Sequence, residues 1–192
     1  MNPTVYELWH ERHDDRGQDH DKLLGVYSAR NKAEEQLGLL RDKPGFRDHP
    51  DGFDIRPGGM DCTAWTNGGF VTVWGDEAAD EPPLAPFPKI TEEQAYMPSV
   101  EPMPPVYWTL WLRFVDEWDY DHELIVGTYT SRQNAQKGIE LLRDQPGFRD
   151  HPGGFAITQG TLDQTDMTNG FVTVRENGRE HDEPIRDAPS AG

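Results

Sequence analysis

Two identical tripeptides, Arg-Asp-His, are the residues of this sequence whose types come closest to a catalytic group. They lie at residues 47–49 and 149–151, and a histidine beside a carboxylate can act as a general base. The same residues also suit a structural role, because the proline and glycine around them shape a corner in which Arg, Asp and His bond to the backbone. We favour this structural interpretation, in which the corner joins a helix to a strand. The repeated loop comprises Pro44, Gly45, Phe46, Arg47, Asp48, His49, Pro146, Gly147, Phe148, Arg149, Asp150 and His151.

Two acidic loops carry the residue types that bind divalent metals. Residues 11–21 contain two histidines and four aspartates, and residues 116–122 contain four acidic residues and one histidine. Carboxylate and imidazole groups can ligate such ions, but neither loop has the fixed spacing of a zinc helix motif or of a calcium loop. A solvated hairpin tip explains the same residues. The sequence therefore predicts no metal site and no cofactor.

The motifs of common nucleophilic and nucleotide-dependent enzymes are absent from the sequence. There is no GxSxG elbow, no phosphate-binding P-loop and no GxGxxG before a helix. The single cysteine, Cys62, corresponds to Gln164 in a second copy of the same sequence pattern, and a lone cysteine usually packs as a small hydrophobe. We predict no catalytic residue. An enzyme that uses the acidic loops or the Arg-Asp-His loops is the alternative.

The loops belong to an internal duplication. Residues 39–50 and 141–152 agree at eleven of twelve positions, with an offset of 102. A repeat of this length indicates two similar folding units. We expect a first repeat at 1–75, an acidic proline-rich linker at 76–105, a second repeat at 106–175 and a flexible acidic tail at 176–192.

Each repeat is predicted to fold in the order β-β-α-β-β. In the first repeat, residues 5–10 and 22–27 have strand patterns, and Ser28 is a good cap for the helix that follows. Residues 53–55 and 70–74 supply the last two strands, and the stretch between them is irregular. One helix against a small sheet is an α+β fold. We predict two tandem ββαββ units, each a small antiparallel sheet with one helix, packed with pseudo-two-fold symmetry.

The chain is strongly acidic, with a formal net charge of −17. An acidic surface repels phosphate backbones and attracts basic proteins, so direct nucleic-acid binding is disfavoured. No apolar stretch approaches the ~20 residues that a membrane span needs, and the N-terminus lacks a signal-peptide pattern. A single cysteine forms no internal disulfide and suits a reducing compartment. We predict a cytoplasmic protein with a basic protein partner, no membrane contact and an oligomeric state that the sequence leaves open.

The two repeats differ most in the first strand and the loop after it. His10 and Arg12 of the first repeat become Leu112 and Phe114 in the second, which also gains aromatic residues in the loop. Aromatic groups inside an acidic rim suit a surface for a basic protein. Alternatively, this strip is the contact between the two units. The predicted partner-binding residues are Trp108, Trp111, Phe114, Asp116, Glu117, Trp118, Asp119 and Tyr120.

Residues 24–33 read LGVYSARNKA, and each repeat continues into Pro-Gly-Phe-Arg-Asp-His-Pro, one further residue and Gly-Phe. These runs resemble a family of small bacterial proteins of unknown function, whose members read close to KLIGVYSSREKAEAAI, then PGFRDHPDGF, then TEGF. Both repeats match over most of their length, although Asn67 and Asn169 replace the acid of the last motif. The resemblance implies a small α+β domain and the setting of bacterial toxin-immunity or defence loci. It supplies no catalytic residue.

These observations lead to one functional hypothesis and two alternatives. The hypothesis is a non-enzymatic protein-binding module, an immunity protein or inhibitor that masks a cognate toxin. The alternatives are a His/Asp- or metal-dependent enzyme and a regulatory adaptor unrelated to toxins.

Overall fold

The computed structural model describes residues 2–13, 19–66, 90–115, 121–165, 172–176 and 179–183. The chain divides into two compact units. Unit 1 comprises Met1–Pro3 and Gly59–Gly160, and unit 2 comprises Thr4–Gly58 and Thr161–Gly192. Each unit therefore contains residues of both sequence repeats, and the chain passes from one unit to the other at three points.

The elements of the first repeat return in the second. In chain order they are β1 (Thr4–His13), β2 (Asp19–Tyr27), α1 (Arg30–Leu40), β3 (Phe53–Gly59), α2 (Glu92–Ala95), β4 (Val106–Val115), β5 (Asp121–Tyr129), α3 (Arg132–Leu142), β6 (Phe155–Thr161), β7 (Gln164–Thr165), β8 (Val172–Glu176) and β9 (Arg179–Glu183). A 3₁₀ helix lies at Pro50–Gly52, just before β3. The elements β4, β5, α3 and β6 begin and end 102 residues after β1, β2, α1 and β3, respectively.

Two small sheets carry the fold. The sheet of unit 2 has the order β3-β1-β2-β7, and the sheet of unit 1 has the order β5-β4-β6. The pairs β1–β2, β2–β7 and β4–β5 are antiparallel. In both hairpins the register shifts at one point, between Leu8 and Trp9 and between Leu110 and Trp111. Antiparallel sheets with few helices make this an α+β protein, as predicted.

Each long helix packs an apolar stripe against its sheet. In α1, Ala33 and Leu40 are buried, and in α3, Ala135 and Leu142 are buried. Residues at such helical spacing share one face, which the sheet covers. The core of unit 2 contains Leu8, Leu24, Tyr27, Ala33, Leu40 and Phe46. The core of unit 1 contains Met97, Leu110, Leu112, Leu124, Val126, Tyr129, Ala135, Leu142 and Phe148.

The helix starts differ between the repeats. Before α3, Ser131 accepts a hydrogen bond from Asn134 N at 3.1 Å, as an N-cap does. Before α1 the N-cap is Ala29, which makes no side-chain cap bond, and Ser28 Oγ donates to Asp163 instead. The prediction that Ser28 caps α1 is therefore wrong. A carboxylate is a stronger hydrogen-bond acceptor, and it engages the Ser28 hydroxyl.

A short segment of the first repeat belongs to unit 1. Residues 59–66 run along β5, where Asp61 N donates to Thr128 O and Ala64 N donates to Val126 O, both at 2.8 Å. This stretch, predicted to be irregular, is therefore fixed to a strand of the second repeat.

A matching segment of the second repeat belongs to unit 2. Within residues 161–165, Asp163 N donates to Val26 O at 2.9 Å, and β7 pairs with β2. The exchange between the repeats is therefore reciprocal. We call residues 59–66 and residues 161–165 the exchanged segments.

A glycine in each recipient strand makes room for the exchanged segment. A Cβ atom added at Gly25 would lie 2.5 Å from Gln164 O, and one added at Gly127 would lie 2.6 Å from Cys62 O. Both separations are far shorter than van der Waals contact, so a larger residue would displace the segment. Glycine is used here for close backbone approach.

The described part of the linker lies against unit 1. Thr91 and Gln94 form a capping box at the start of α2. Just after this helix, Met97 N donates to Asp61 O at 2.8 Å, and the Met97 side chain belongs to the core of unit 1. This stretch is therefore part of the folded unit.

Some predicted strands and the predicted tail either differ from the structure or lie outside the described residues. The strand predicted at residues 70–74 lies outside the described residues. Among the described strands, β8 pairs with β9 in a two-stranded sheet, whereas the prediction places it in the sheet of its own repeat. β9 lies within the stretch that we expected to be a tail. None of the described helices has the length and apolar content to cross a membrane.

We expect Gly38→Ala in α1 to raise the free energy of unfolding by about 0.5–1 kcal/mol, because alanine loses less backbone entropy in a helix. Gly38 is exposed, and an added Cβ would meet no atom within 4 Å. Urea denaturation followed by circular dichroism measures the change.

The matched variant Gly138→Ala in α3 should destabilise the protein. Its Cβ would lie 2.6 Å from Tyr129 Oη and 3.0 Å from Leu110 Cδ2. If both substitutions changed the free energy of unfolding in the same direction, the close packing of α3 against Tyr129 and Leu110 would be contradicted.

Candidate functional site

The predicted partner-binding residues of β4 lie on two faces of its sheet. Leu110 and Leu112 are fully buried in the core that also contains Ala135 and Leu142 of α3. Because side chains alternate along a strand, Trp111 lies on the face away from α3, which we call the outer face. The apolar strip of the sequence is thus divided between the core and the outer face.

Three neighbours hold the Trp111 ring on the outer face. Its Nε1 donates to Thr158 Oγ1 of β6 at 2.8 Å, and the Arg113 guanidinium lies 5.1 Å from the ring centre. Ile125 of β5 is its cross-strand partner. Arg113 also pairs with Glu123 at 2.8 Å. The indole is therefore fixed in orientation while partly exposed, which suits an anchor for a protein partner.

The equivalent ring in the first repeat, Trp9, is covered more completely and is 8% exposed. Its Nε1 donates to Glu7 Oε2 at 3.1 Å, and the Arg56 guanidinium lies 5.0 Å from the ring centre. Arg56 is in turn held by Glu11 and Asp54. The second repeat has a threonine at the position of Arg56, and the guanidinium over the Trp111 ring comes from Arg113 of β4 instead.

Trp65, in a stretch predicted to be irregular, lies beside β5 of the same sheet. It lies at the end of an exchanged segment, is 40% exposed, and donates from Nε1 to Ile125 O at 3.1 Å. Ile125 pairs with Trp111, which bonds to Thr158. We call Trp65, Ile125, Trp111 and Thr158 the tryptophan row. It crosses unit 1 from the exchanged segment to β6.

Phe114, near the end of β4, lies between two histidine rings. Its ring centre is 4.8 Å from that of His122 and 3.9 Å from that of His151, and both pairs are stacked. The histidine of the second Arg-Asp-His loop therefore touches a predicted partner-binding residue. An open groove of about 420 Å³ is lined by Arg113, Phe114, Val115, His122 and Glu123.

The other predicted partner-binding residues are placed as follows. Trp108 is partly buried against the core of unit 1. Five residues of the loop after β4 lie outside the described residues: Asp116, Glu117, Trp118, Asp119 and Tyr120.

Both Pro-Gly-Phe-Arg-Asp-His loops place their phenylalanine in a core. Phe46 and Phe148 have no exposed surface. Gly45 and Gly147 each have a φ of 79°, the left-handed conformation that favours glycine at a helix end. The arginine and aspartate of each loop lie 3.6 Å apart and are exposed. The loops therefore turn the chain from each helix toward its sheet.

His10 joins β1 to the first of these loops. It is fully buried, its Nε2 lies 2.9 Å from His49 O, and its ring packs against Phe46 and Phe53. Because a carbonyl oxygen only accepts, Nε2 carries the proton of this bond. Burial lowers the pKa of His10, and the bond to His49 O, which raises it, does not offset this effect. The folded state therefore favours the neutral imidazole.

Asp163, in an exchanged segment, binds the start of α1. Its carboxylate accepts from Ser28 N at 2.7 Å, from Ser28 Oγ at 2.9 Å and from Lys32 Nζ at 2.6 Å. Burial acts to raise the pKa of Asp163, but the hydrogen bonds from Lys32 and Ser28 outweigh it and lower the pKa below its ordinary value. The ionised carboxylate is therefore favoured at the helix N-terminus.

Asp61 makes the equivalent arrangement in unit 1, where the donors found among the described residues carry no charge. It is fully buried and accepts from Thr130 N at 3.0 Å, from Thr130 Oγ1 at 2.7 Å and from Asn134 Nδ2 at 2.8 Å. These residues correspond, at the repeat offset of 102, to the members of the cluster in unit 2. A buried carboxylate needs several donors of this kind to compensate for lost hydration.

The cluster in unit 2 contains a serine and a lysine, which in some hydrolases form a nucleophile and its base. Lys32 Nζ lies 2.9 Å from Ser28 Oγ. However, the same ammonium donates to Asp163, and an ammonium has no lone pair with which to take the serine proton. The arrangement therefore fixes the exchanged segment and does not activate Ser28.

Asp61, Asp163 and Trp65 were not among the predicted site residues. A signal existed for the aspartates, since they are 102 residues apart and each is followed two residues later by threonine. No such signal existed for Trp65, because the corresponding residue is Met167.

Within the described ranges, no group of three or more His, Cys, Asp or Glu side chains is arranged to hold a metal ion. Comparison with protein-family models, with curated proteins and with solved structures found no match to the chain. Function therefore has to be inferred from the residues themselves.

His10→Leu, which copies Leu112 of the second repeat, should reduce the loss of stability in mild acid. The lowered pKa of His10 means that, below the ordinary value of 6.5, protons bind the unfolded chain in preference to the folded one. Each pH unit below that value then lowers the free energy of unfolding by up to about 1.4 kcal/mol. Unfolding free energies at pH 7.5 and pH 5.5 test this, and equal pH dependence in the two proteins would contradict it.

Asp163→Asn should lower the free energy of unfolding at pH 7 by about 1–2 kcal/mol, because a charged acceptor becomes neutral. The lowered pKa of Asp163 means that its stabilisation is complete above the ordinary value of 3.8 and is lost as the pH falls through the folded-state value. The difference from the parent protein should shrink between pH 5 and pH 3. The exposed control Asp150→Asn should show no such difference at either pH.

Proposed function

We propose that this protein is a non-enzymatic protein-binding module that uses the tryptophan row of unit 1 to hold a protein partner. The proposal is carried by the row itself, in which Trp65 is 40% exposed, Trp111 is partly exposed, and both indole Nε1 groups are hydrogen-bonded. The other exposed apolar side chains lie mostly in the same unit. Among the described residues, five large hydrophobic side chains are exposed, and four of them belong to unit 1. These four are Trp65, Tyr96, Val100 and Val115, and the fifth is Leu39 of α1.

The chemistry of the row favours a particular kind of contact. Trp111 presents a large ring whose orientation is fixed by Thr158 and Arg113, so little side-chain entropy is lost when a partner covers it. Tryptophan at the centre of a contact surface commonly dominates the binding energy. The net charge of −17 supports a basic partner, which it would attract over long range.

We further propose that the partner is a toxin and that the protein is a bacterial immunity protein or inhibitor in the cytoplasm. The support is the acidity and the sequence resemblance to small bacterial proteins of toxin-immunity or defence loci.

We also propose the predicted architecture, two tandem ββαββ units with pseudo-two-fold symmetry. It is supported by four elements that recur at an offset of 102.

Trp111→Ala should weaken partner binding at least tenfold, because it removes the anchor of the row. The product of the neighbouring gene is the first partner to test, by pull-down and then by titration calorimetry. Leu39→Ala is the matched control, since Leu39 is 64% exposed and lies outside unit 1. It should leave the affinity unchanged.

Two results would overturn different parts of the proposal. If no neighbouring gene product binds, and deletion of this gene confers no sensitivity to it, the protein is not a toxin inhibitor of that locus. If a partner binds equally well to the parent protein and to Trp111→Ala, the tryptophan row is not the contact surface.

A further inference from the structure

The exchanged segments occupy two docking sites of the same design, one in each unit. We propose that each site recognises an Asp-x-Thr segment, and that the two halves of this chain, residues 1–80 and 81–192, bind each other through both sites without a covalent linker. This inference concerns assembly and is independent of the proposed toxin partner.

The site in unit 2 contacts the segment at three points. The backbone of Asp163 pairs with Val26 O of β2 at 2.9 Å, as a peptide does when it extends a sheet edge. The carboxylate is bound at the start of α1 by one backbone amide, one hydroxyl and one ammonium. Two residues later, Thr165 Oγ1 lies 2.8 Å from Tyr27 Oη.

The site in unit 1 repeats these contacts with residues of the other repeat. Asp61 N pairs with Thr128 O of β5 at 2.8 Å, and its carboxylate is bound at the start of α3. Two residues later, Thr63 Oγ1 lies 3.0 Å from Tyr129 Oη. The spacing of aspartate and threonine in the segment is therefore the feature that both sites share.

The side-chain contacts give each site its selectivity. Any extended peptide can hydrogen-bond its backbone to a sheet edge. The groups that donate hydrogen bonds at the start of each helix, however, require an acceptor at one position of the segment. Both aspartates also have positive φ, 53° at Asp61 and 64° at Asp163. This conformation is unfavourable for most L-residues and is tolerated best by aspartate and asparagine. A segment without aspartate at this position would leave the buried donors of Thr130 and Asn134 in unit 1 unpaired.

Each half of the chain both supplies a segment and accepts one. Residues 1–80 contain the site of unit 2 and the segment that docks in unit 1, whereas residues 81–192 contain the site of unit 1 and the segment that docks in unit 2. Once one site is occupied, the second docking becomes intramolecular and its effective concentration is high. Two modest contacts can thereby hold the halves together.

The test uses the full chain with a flexible protease recognition sequence inserted between Asp80 and Glu81, cut after folding. A denaturing gel reports the cleavage. Native mass spectrometry and size-exclusion chromatography report whether the halves remain bound. We expect one species with the mass of a single chain. Separation of the halves, or a species with the mass of two chains, would overturn the proposal.

Variants show whether the docking sites cause the association. Asp61→Ala combined with Asp163→Ala should raise the dissociation constant of the cut protein at least ~10-fold, whereas the exposed control Asp150→Ala should not. If the double variant does not fold, Thr63→Val with Thr165→Val replaces it, because each substitution only exchanges a hydroxyl for a methyl group. An unchanged dissociation constant in the folded docking-site variant would show that something else holds the halves.

Discussion

A carboxylate bound at the first turn of a long helix is the interaction on which each unit depends. Asp163 at α1 and Asp61 at α3 each hold a helix start, a sheet edge and a segment of the other repeat at one point. The two copies balance the charge differently. In unit 2 the carboxylate of Asp163 pairs with the partly exposed ammonium of Lys32. In unit 1 the carboxylate of Asp61 is fully buried among neutral donors that include Asn134. A fully satisfied buried network of this kind favours one arrangement over its competitors.

The same exchange creates the surface that we assign to partner binding. Trp111 belongs to the second repeat, but Trp65 reaches the row only because a segment of the first repeat lies along β5. In the first repeat, Arg56 and its acidic neighbours cover the equivalent ring of Trp9. In the second repeat, Arg113, paired with Glu123, lies over the ring of Trp111, which is nevertheless more exposed than that of Trp9.

Much of each unit follows from local sequence. The amphipathic spacing in α1 and α3, the alternating strands and the Pro-Gly corner depend on neighbouring residues, and the predicted elements lie close to the observed ones. The helix cap at Ser28 could not be predicted in this way, because its competitor, Asp163, is 135 residues away. Likewise, the strip around Trp111 reads as one apolar run, whereas the pleat of β4 sends alternate residues to opposite faces.

The sequence by itself shows that each repeat carries an aspartate, a threonine two residues later and a glycine in its second strand, but not that the first two dock beside the third. These residue types occur in both repeats, as at Gly25 and Gly127. It does not determine which segment docks on which strand, since the donors, acceptors and spacing are nearly the same in both copies. That choice is made by the path of the chain through three dimensions, which sends residues 59–66 to β5 and residues 161–165 to β2. The two segments offer the same kinds of local contact, so only the tertiary structure distinguishes the two alternatives.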